Sequence, residues 1–138
     1  MLTDLIPITF NKVMQTRSYT VVIMEADEKR FAIYVDPSIG RAIQMELTEV
    51  EKQRPLTHDL INMMLTGLNA KIKQIVINDV EDTIYFARIF LEQKINDETY
   101  ILEIDARPSD CITLAIMNNT AVYCTREVLE KTVILEDD

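Results

Sequence analysis

The spacing of hydrophobic and polar positions changes several times along the chain, and each change marks an element. Residues 5 to 15 alternate weakly, and Tyr19 to Met24 is a β-branched and aromatic run. The polar "EADEK" at 25–29 reads as a turn, with Phe31 to Val35 as the returning strand. From Pro37 to about Val50, Ile39, Ala42, Ile43, Met45 and Leu47 fall at helical spacing, and Pro37 suits a first helical turn. After a charged break, a second helix is predicted from about Pro55 to Leu68. Its apolar stripe is Leu56, Leu60, Ile61, Met64, Leu65 and Leu68, and Gly67-Leu68-Asn69 closes it.

The second half repeats this order. Ile72–Val80, Ile84–Leu91 and Tyr100–Ile104 are predicted strands, with "QKINDE" at 93–98 as a turn. A helix from about Pro108 to Met117, a short strand Ala121–Cys124, a helix Arg126–Lys131 and the apolar segment Val133–Leu135 follow. "FAIYVD" (31–36) lies over "YILEID" (100–105) at an offset of 69, while "GRAIQM" (40–45) fits "CITLAI" (111–116) better at 71. The expectation is one α+β domain over residues 1–138, internally duplicated as about 5–69 and 70–135. Each repeat is a β-meander plus helices, and together they make a mainly antiparallel sheet with helices packed on it.

Composition narrows the chemistry. The chain has 138 residues, enough to bury a core, with 48% hydrophobic and 27% charged residues, as in ordinary globular proteins. Two glycines leave no room for a Gly-rich phosphate loop. Cys111 and Cys124 have no CxxC spacing and apolar neighbours, which reads as two buried reduced thiols. The N-terminal "MLTDLIPITF" lacks a basic segment and a long apolar run, so no signal peptide or membrane span is expected and a cytoplasmic location is. The formal charge of −9 disfavours general nucleic-acid affinity, because an acidic field repels a polyanion, although a local basic patch is compatible with it. Part of the excess is local, at Glu25-Asp27-Glu28 and at Glu136-Asp137-Asp138.

Two helix starts carry candidate chemistry. "DARPSDCI" (105–112) places two carboxylates, a guanidinium and a hydroxyl at a strand-to-helix junction, and "RPLTHDLI" (54–61) opens the second helix in a similar way. Ordinary capping accounts for much of this. Thr57 as N-cap, Asp59 in the first turn and Leu56 stapled to Ile61 would contribute about 1–2 kcal/mol. Asp105 and Asp110 would pair with Arg107, and Arg54 with Asp59. His58, the single histidine, and an arginine before each helix start are unnecessary for a cap. A helix N-terminus beside an arginine is an anion site.

"RPLTHDLI", "IVINDVEDTIYFARIFL" (75–91) and "DARPSDCITLAI" (105–116) together resemble the bifunctional nuclease domain family, over about residues 20 to 125. The resemblance implies a duplicated α+β unit, often oligomeric, with members that degrade DNA and RNA. It casts the chain as a metal-assisted phosphodiesterase. Asp105 and Asp110 would bind Mg²⁺ or Mn²⁺, with Asp59 nearby, and His58 would be general acid or base. Arg54 and Arg107 would clamp phosphate, and Thr57 and Ser109 would orient it, provided the two helix starts converge. The first half departs from the family pattern: Ile39 stands where the family has glutamate and Asp36 where it has glycine. Activity therefore leans on 54–59 and 105–110. The alternative is a non-catalytic homo-oligomer, a dimer first of all, that binds a small anion or a protein partner, with Met45, Met63 and Met64 available to an interface.

Overall fold

The computed structural model describes residues 4–135; the predicted acidic end at Glu136-Asp137-Asp138 and the first three residues lie outside them. Seven strands and four helices follow in the order β1 (Leu5–Gln15), β2 (Thr20–Ala26), β3 (Lys29–Val35), α1 (Pro37–Leu47), α2 (Thr57–Gly67), β4 (Ala70–Glu81), β5 (Ile84–Ile95), β6 (Glu98–Ala106), α3 (Pro108–Asn118), β7 (Val122–Thr125) and α4 (Arg126–Lys131). The strands form one sheet in the order β3-β2-β1-β7-β4-β5-β6. Every pairing is antiparallel except β4 with β7. This is the expected α+β class.

Tight hairpins make the two meanders. Asp27-Glu28 and Asn96-Asp97 both have positive φ at each residue, the signature of two-residue turns whose twist matches the flanking strands. The six-residue turn expected at 93–98 is therefore shorter, because β5 continues to Ile95 and β6 begins at Glu98. Each meander runs into an 11-residue helix that opens on proline, at Pro37 and Pro108. The strand ends, Val35 and Ala106, and the helix starts, 37 and 108, share one offset of 71. The strands, set at 69 by residue pattern, thus end at the same offset as the helices. At an offset of 71 Ile39 of α1 corresponds in position to Asp110 of α3, and it packs against the core.

The alternating residues of the sheet put Val22, Met24, Phe31, Ile33, Ile75, Ile77, Ala87 and Ile89 in one buried cluster with Ile43 of α1 and Ile112 of α3. The sheet curls until Phe31 on β3 stacks on Tyr85 of β5 with ring centroids 6.0 Å apart, although the two strands are far apart in strand order. Helix ends differ from expectation. α1 stops at Leu47, where the Thr48 hydroxyl donates to the Gln44 carbonyl at 2.8 Å and Glu49 turns to positive φ. Of the α2 stripe only Ile61 and Leu65 pack on the core, while Leu56, Leu60, Met64 and Leu68 are exposed, as is Met63 beside them.

Candidate functional site

The start of α3 is built by its sequence. β6 ends at Ala106, Arg107 is the extended N-cap residue, and Pro108 takes the first helical position, where its missing N–H costs nothing. That geometry sets Asp110 in the first turn, three residues from Arg107. Nε of Arg107 donates to Oδ2 of Asp110 at 2.9 Å and Nη2 to Oδ1 at 3.2 Å. Such a two-pronged pair fixes a guanidinium in direction as well as in place.

The second helix start reaches the same carboxylate. His58, in the first turn of α2, lies with Nε2 2.9 Å from Oδ1 of Asp110. The two helix starts thus converge, as the shared site requires. Burial pushes the Asp110 carboxyl up, but hydrogen bonds from Arg107 and His58 outweigh it and hold the group below its ordinary range. An ionised carboxylate only accepts, so His58 Nε2 carries the proton of this bond. The imidazole is only 5% exposed.

The neighbouring residues divide between two cavities. Arg107, Pro108 and Ser109 line one of about 540 Å³, together with Tyr34 of β3, Asp82 and Thr83 of the β4–β5 turn, and Tyr85. Tyr34 is 67% exposed and meets Tyr19 edge to face at 5.3 Å. Burial pushes the Tyr85 phenol up, and its hydroxyl is hydrogen-bonded to Thr132. Arg54 lines a second cavity of about 580 Å³ with Lys52 and Asp59. The two arginines therefore do not face a common space.

Several expected pairings are replaced. Thr57 is the first residue of α2 rather than its N-cap; Leu56 holds that place, and its backbone N–H donates to Oδ2 of Asp59 at 2.7 Å. Asp59 pairs with Lys52, at 2.9 Å and 3.1 Å, and not with Arg54. Burial works against the Asp59 charge, yet the Leu56 amide and Lys52 hold the carboxyl below its usual range. Lys52 also bonds Glu46, so one ammonium ties the ends of α1 and α2. Asp105 is exposed at the end of β6, opposite Arg88 on β5, and Arg107 pairs with Asp110 alone of the two aspartates. Cys111 and Cys124 are buried, and burial pushes their thiols up to about 12 and about 11.

Among the described residues no three His, Cys, Asp or Glu side chains gather as a metal site. Both oxygens of Asp110 accept hydrogen bonds, from Arg107 and from His58. Tyr34, Tyr85, Asp82 and Lys52 were not singled out by sequence. Nothing local marks Tyr34, Tyr85 and Asp82, whose strands and turn meet through the curl of the sheet, and Lys52 finds Glu46 and Asp59 only where the end of α1 meets the start of α2.

Two helix starts thus converge beside a curled α+β sheet, and Arg107 lines a cavity together with Tyr34 and Tyr85. A model of the bifunctional nuclease domain matches residues 21–137, and the chain belongs to that family. Its relatives include uncharacterized proteins of Mycobacterium tuberculosis strains CDC 1551 / Oshkosh and ATCC 25618 / H37Rv. Each is 30% identical over 129 residues, covering 92% of this chain and 74% of the relative. Family membership points to a nucleic-acid-related function. No helix among the described residues is long and apolar enough to cross a membrane.

Proposed function

We propose that the chain takes one nucleotide unit of a nucleic acid into the cavity at the start of α3 and hydrolyses its phosphodiester bond. The observation that carries this reading is the lining of that cavity, where Arg107 and Ser109 face Tyr34 and Tyr85. About 540 Å³ falls within the range of small-ligand sites, roughly 300–1,000 Å³. The phosphate is recognised by the Arg107 guanidinium, the Ser109 hydroxyl and the free N–H groups of the α3 N-terminus. An exposed tyrosine ring gives a base a stacking surface without selecting its identity.

In this reading His58 is a positioning residue. Its buried ring fixes Asp110, and Asp110 fixes Arg107, so the guanidinium is aimed before substrate arrives. Asp82, a carboxylate that lines the cavity, accepts the proton of the attacking water as its oxygen bonds to phosphorus. The P–O bond to the leaving sugar oxygen breaks, and that oxygen takes a proton from solvent.

The test is cleavage and binding of short single-stranded DNA and RNA by the purified chain, with Mg²⁺, Mn²⁺ or EDTA. Cleavage that Arg107→Ala and Asp82→Asn each reduce by tenfold or more, about 1.4 kcal/mol, is the expected result. Cleavage undiminished in both variants overturns it. A second reading, a non-catalytic anion-binding module, is favoured by Ile39 in place of an acid and by the engagement of His58 with Asp110. Binding that Arg107→Ala weakens, without cleavage under any condition, selects it.

A further inference from the structure

β6 is an edge strand with an unusual surface. It ends the sheet, and residues 98–105 are exposed on both faces. Its pairing with β5 sets Leu102 opposite Leu91 and Ile104 opposite Ile89. Directly paired residues share a face, so Tyr100, Leu102 and Ile104 continue the face on which Leu91 and Ile89 are buried. Yet these three remain 41–46% exposed. The core stripe runs past its helix cover and stops at an open edge. Long apolar edges of this kind template strand addition unless something pairs them.

We propose that two copies of this chain pair through β6, antiparallel, about a two-fold axis at Leu102. The sequence of the strand selects that register. Inner faces of the two copies join only if the axis passes through a residue, because side chains alternate with period two. An axis at Glu103 sets the two Glu103 carboxylates directly opposite each other, which destabilises a pair. An axis at Ile101 sets Glu98 opposite Ile104, a charge inside the apolar stripe. An axis at Leu102 places Leu102 on Leu102, Tyr100 on Ile104 and Glu103 on Ile101, with no like charges opposite. Carried one step past the strand, the same register sets Asp97 of the second copy opposite Arg107. The β5–β6 turn that carries this acid, Asn96-Asp97, has positive φ at both residues. The dimer thus joins two seven-stranded sheets and adds a residue of one chain to the border of the other's site. It stands independently of whether the cavity hydrolyses anything.

The experiment uses the whole chain. Size-exclusion chromatography with light scattering is expected to give twice the chain mass, and Leu102→Lys to give a folded monomer by circular dichroism. For the register, Leu102→Cys and Ile104→Cys are compared under mild oxidation. Paired Cα atoms in antiparallel sheets lie about 4.5–5.5 Å apart, within disulfide range, whereas two Ile104 positions are offset by about four residues, roughly 13 Å. Cys111 and Cys124 are buried and contribute no background. Leu102→Cys is expected to form a covalent dimer and Ile104→Cys is not. A monomeric wild type overturns the proposal, as does an oligomer that survives Leu102→Lys or cross-linking as ready through Ile104→Cys.

Discussion

Nε2 of His58 lies 2.9 Å from Oδ1 of Asp110, a hydrogen bond across 52 residues of sequence that fastens the start of α2 to the start of α3. Asp110→Ala leaves a buried N–H without a partner and frees Arg107. It is expected to cost about 2–3 kcal/mol. His58→Ala should cost a similar amount, and a double-mutant cycle should recover a coupling of roughly 1 kcal/mol or more. Urea unfolding measures all three. Fully additive costs would mean that the two side chains do not act together.

Acid stability follows from the same carboxylates. The folded chain holds Asp110 and Asp59 below the ordinary value of 3.8, so in acid it binds fewer protons than the unfolded chain. Their stabilisation is complete above that value and is lost as pH falls through the lower folded values. Asp110→Asn is expected to flatten this acid limb. Melting temperature measured between about pH 2 and pH 6 checks it, and a variant with the wild-type slope contradicts it.

The division of the two arginines makes a sharper test of the site. Arg107→Ala should weaken binding of a single-stranded oligonucleotide and reduce the salt-dependence slope by about one. Arg54→Ala, which lines the other cavity, should leave both unchanged. Equal losses in the two variants would return Arg54 to the clamp.

Gly40 is a steric requirement. A Cβ there would sit 1.8 Å from Oγ1 of Thr20, a buried hydroxyl with no hydrogen-bond partner among the described residues. Gly40→Ala is expected to cost about 3 kcal/mol or more by forcing α1 away from β2. Thr20→Gly in the same chain should recover part of that loss, and thermal melts of the single and double variants decide it.

The thiols give a direct check on burial. With folded values of about 12 and about 11, Cys111 and Cys124 are protonated and enclosed at pH 8. A thiol reagent should therefore label neither until denaturant is added. Rapid labelling of either in the native protein would falsify the placement of that side chain.

Local signals fixed much of the fold. Phe31–Val35 alternates and became β3, Pro37 and Pro108 opened helices, and Arg126–Lys131 matched α4. Boundaries failed where tertiary hydrogen bonds decide them. α1 ends three residues early because Thr48 closes it, and β5 outruns its apolar pattern because β6 pairs with it to Ile95. Two thirds of the stripe on α2 is uncovered, since periodicity shows that a face is apolar but not whether another element covers it.

Within the site, residue types and spacing marked Arg107, Ser109, Asp110 and His58, because helix-start chemistry is local and appears in consecutive residues. Sequence also carried the family through the same stretches. Only the tertiary structure joined His58 to Asp110, gave Asp59 to Lys52, turned Arg54 away from Arg107, and closed Tyr34 and Tyr85 around one cavity. Those outcomes depend on how far the sheet curls and on which helix packs where. Both are set by the whole set of buried contacts, and no single stretch of the chain encodes them.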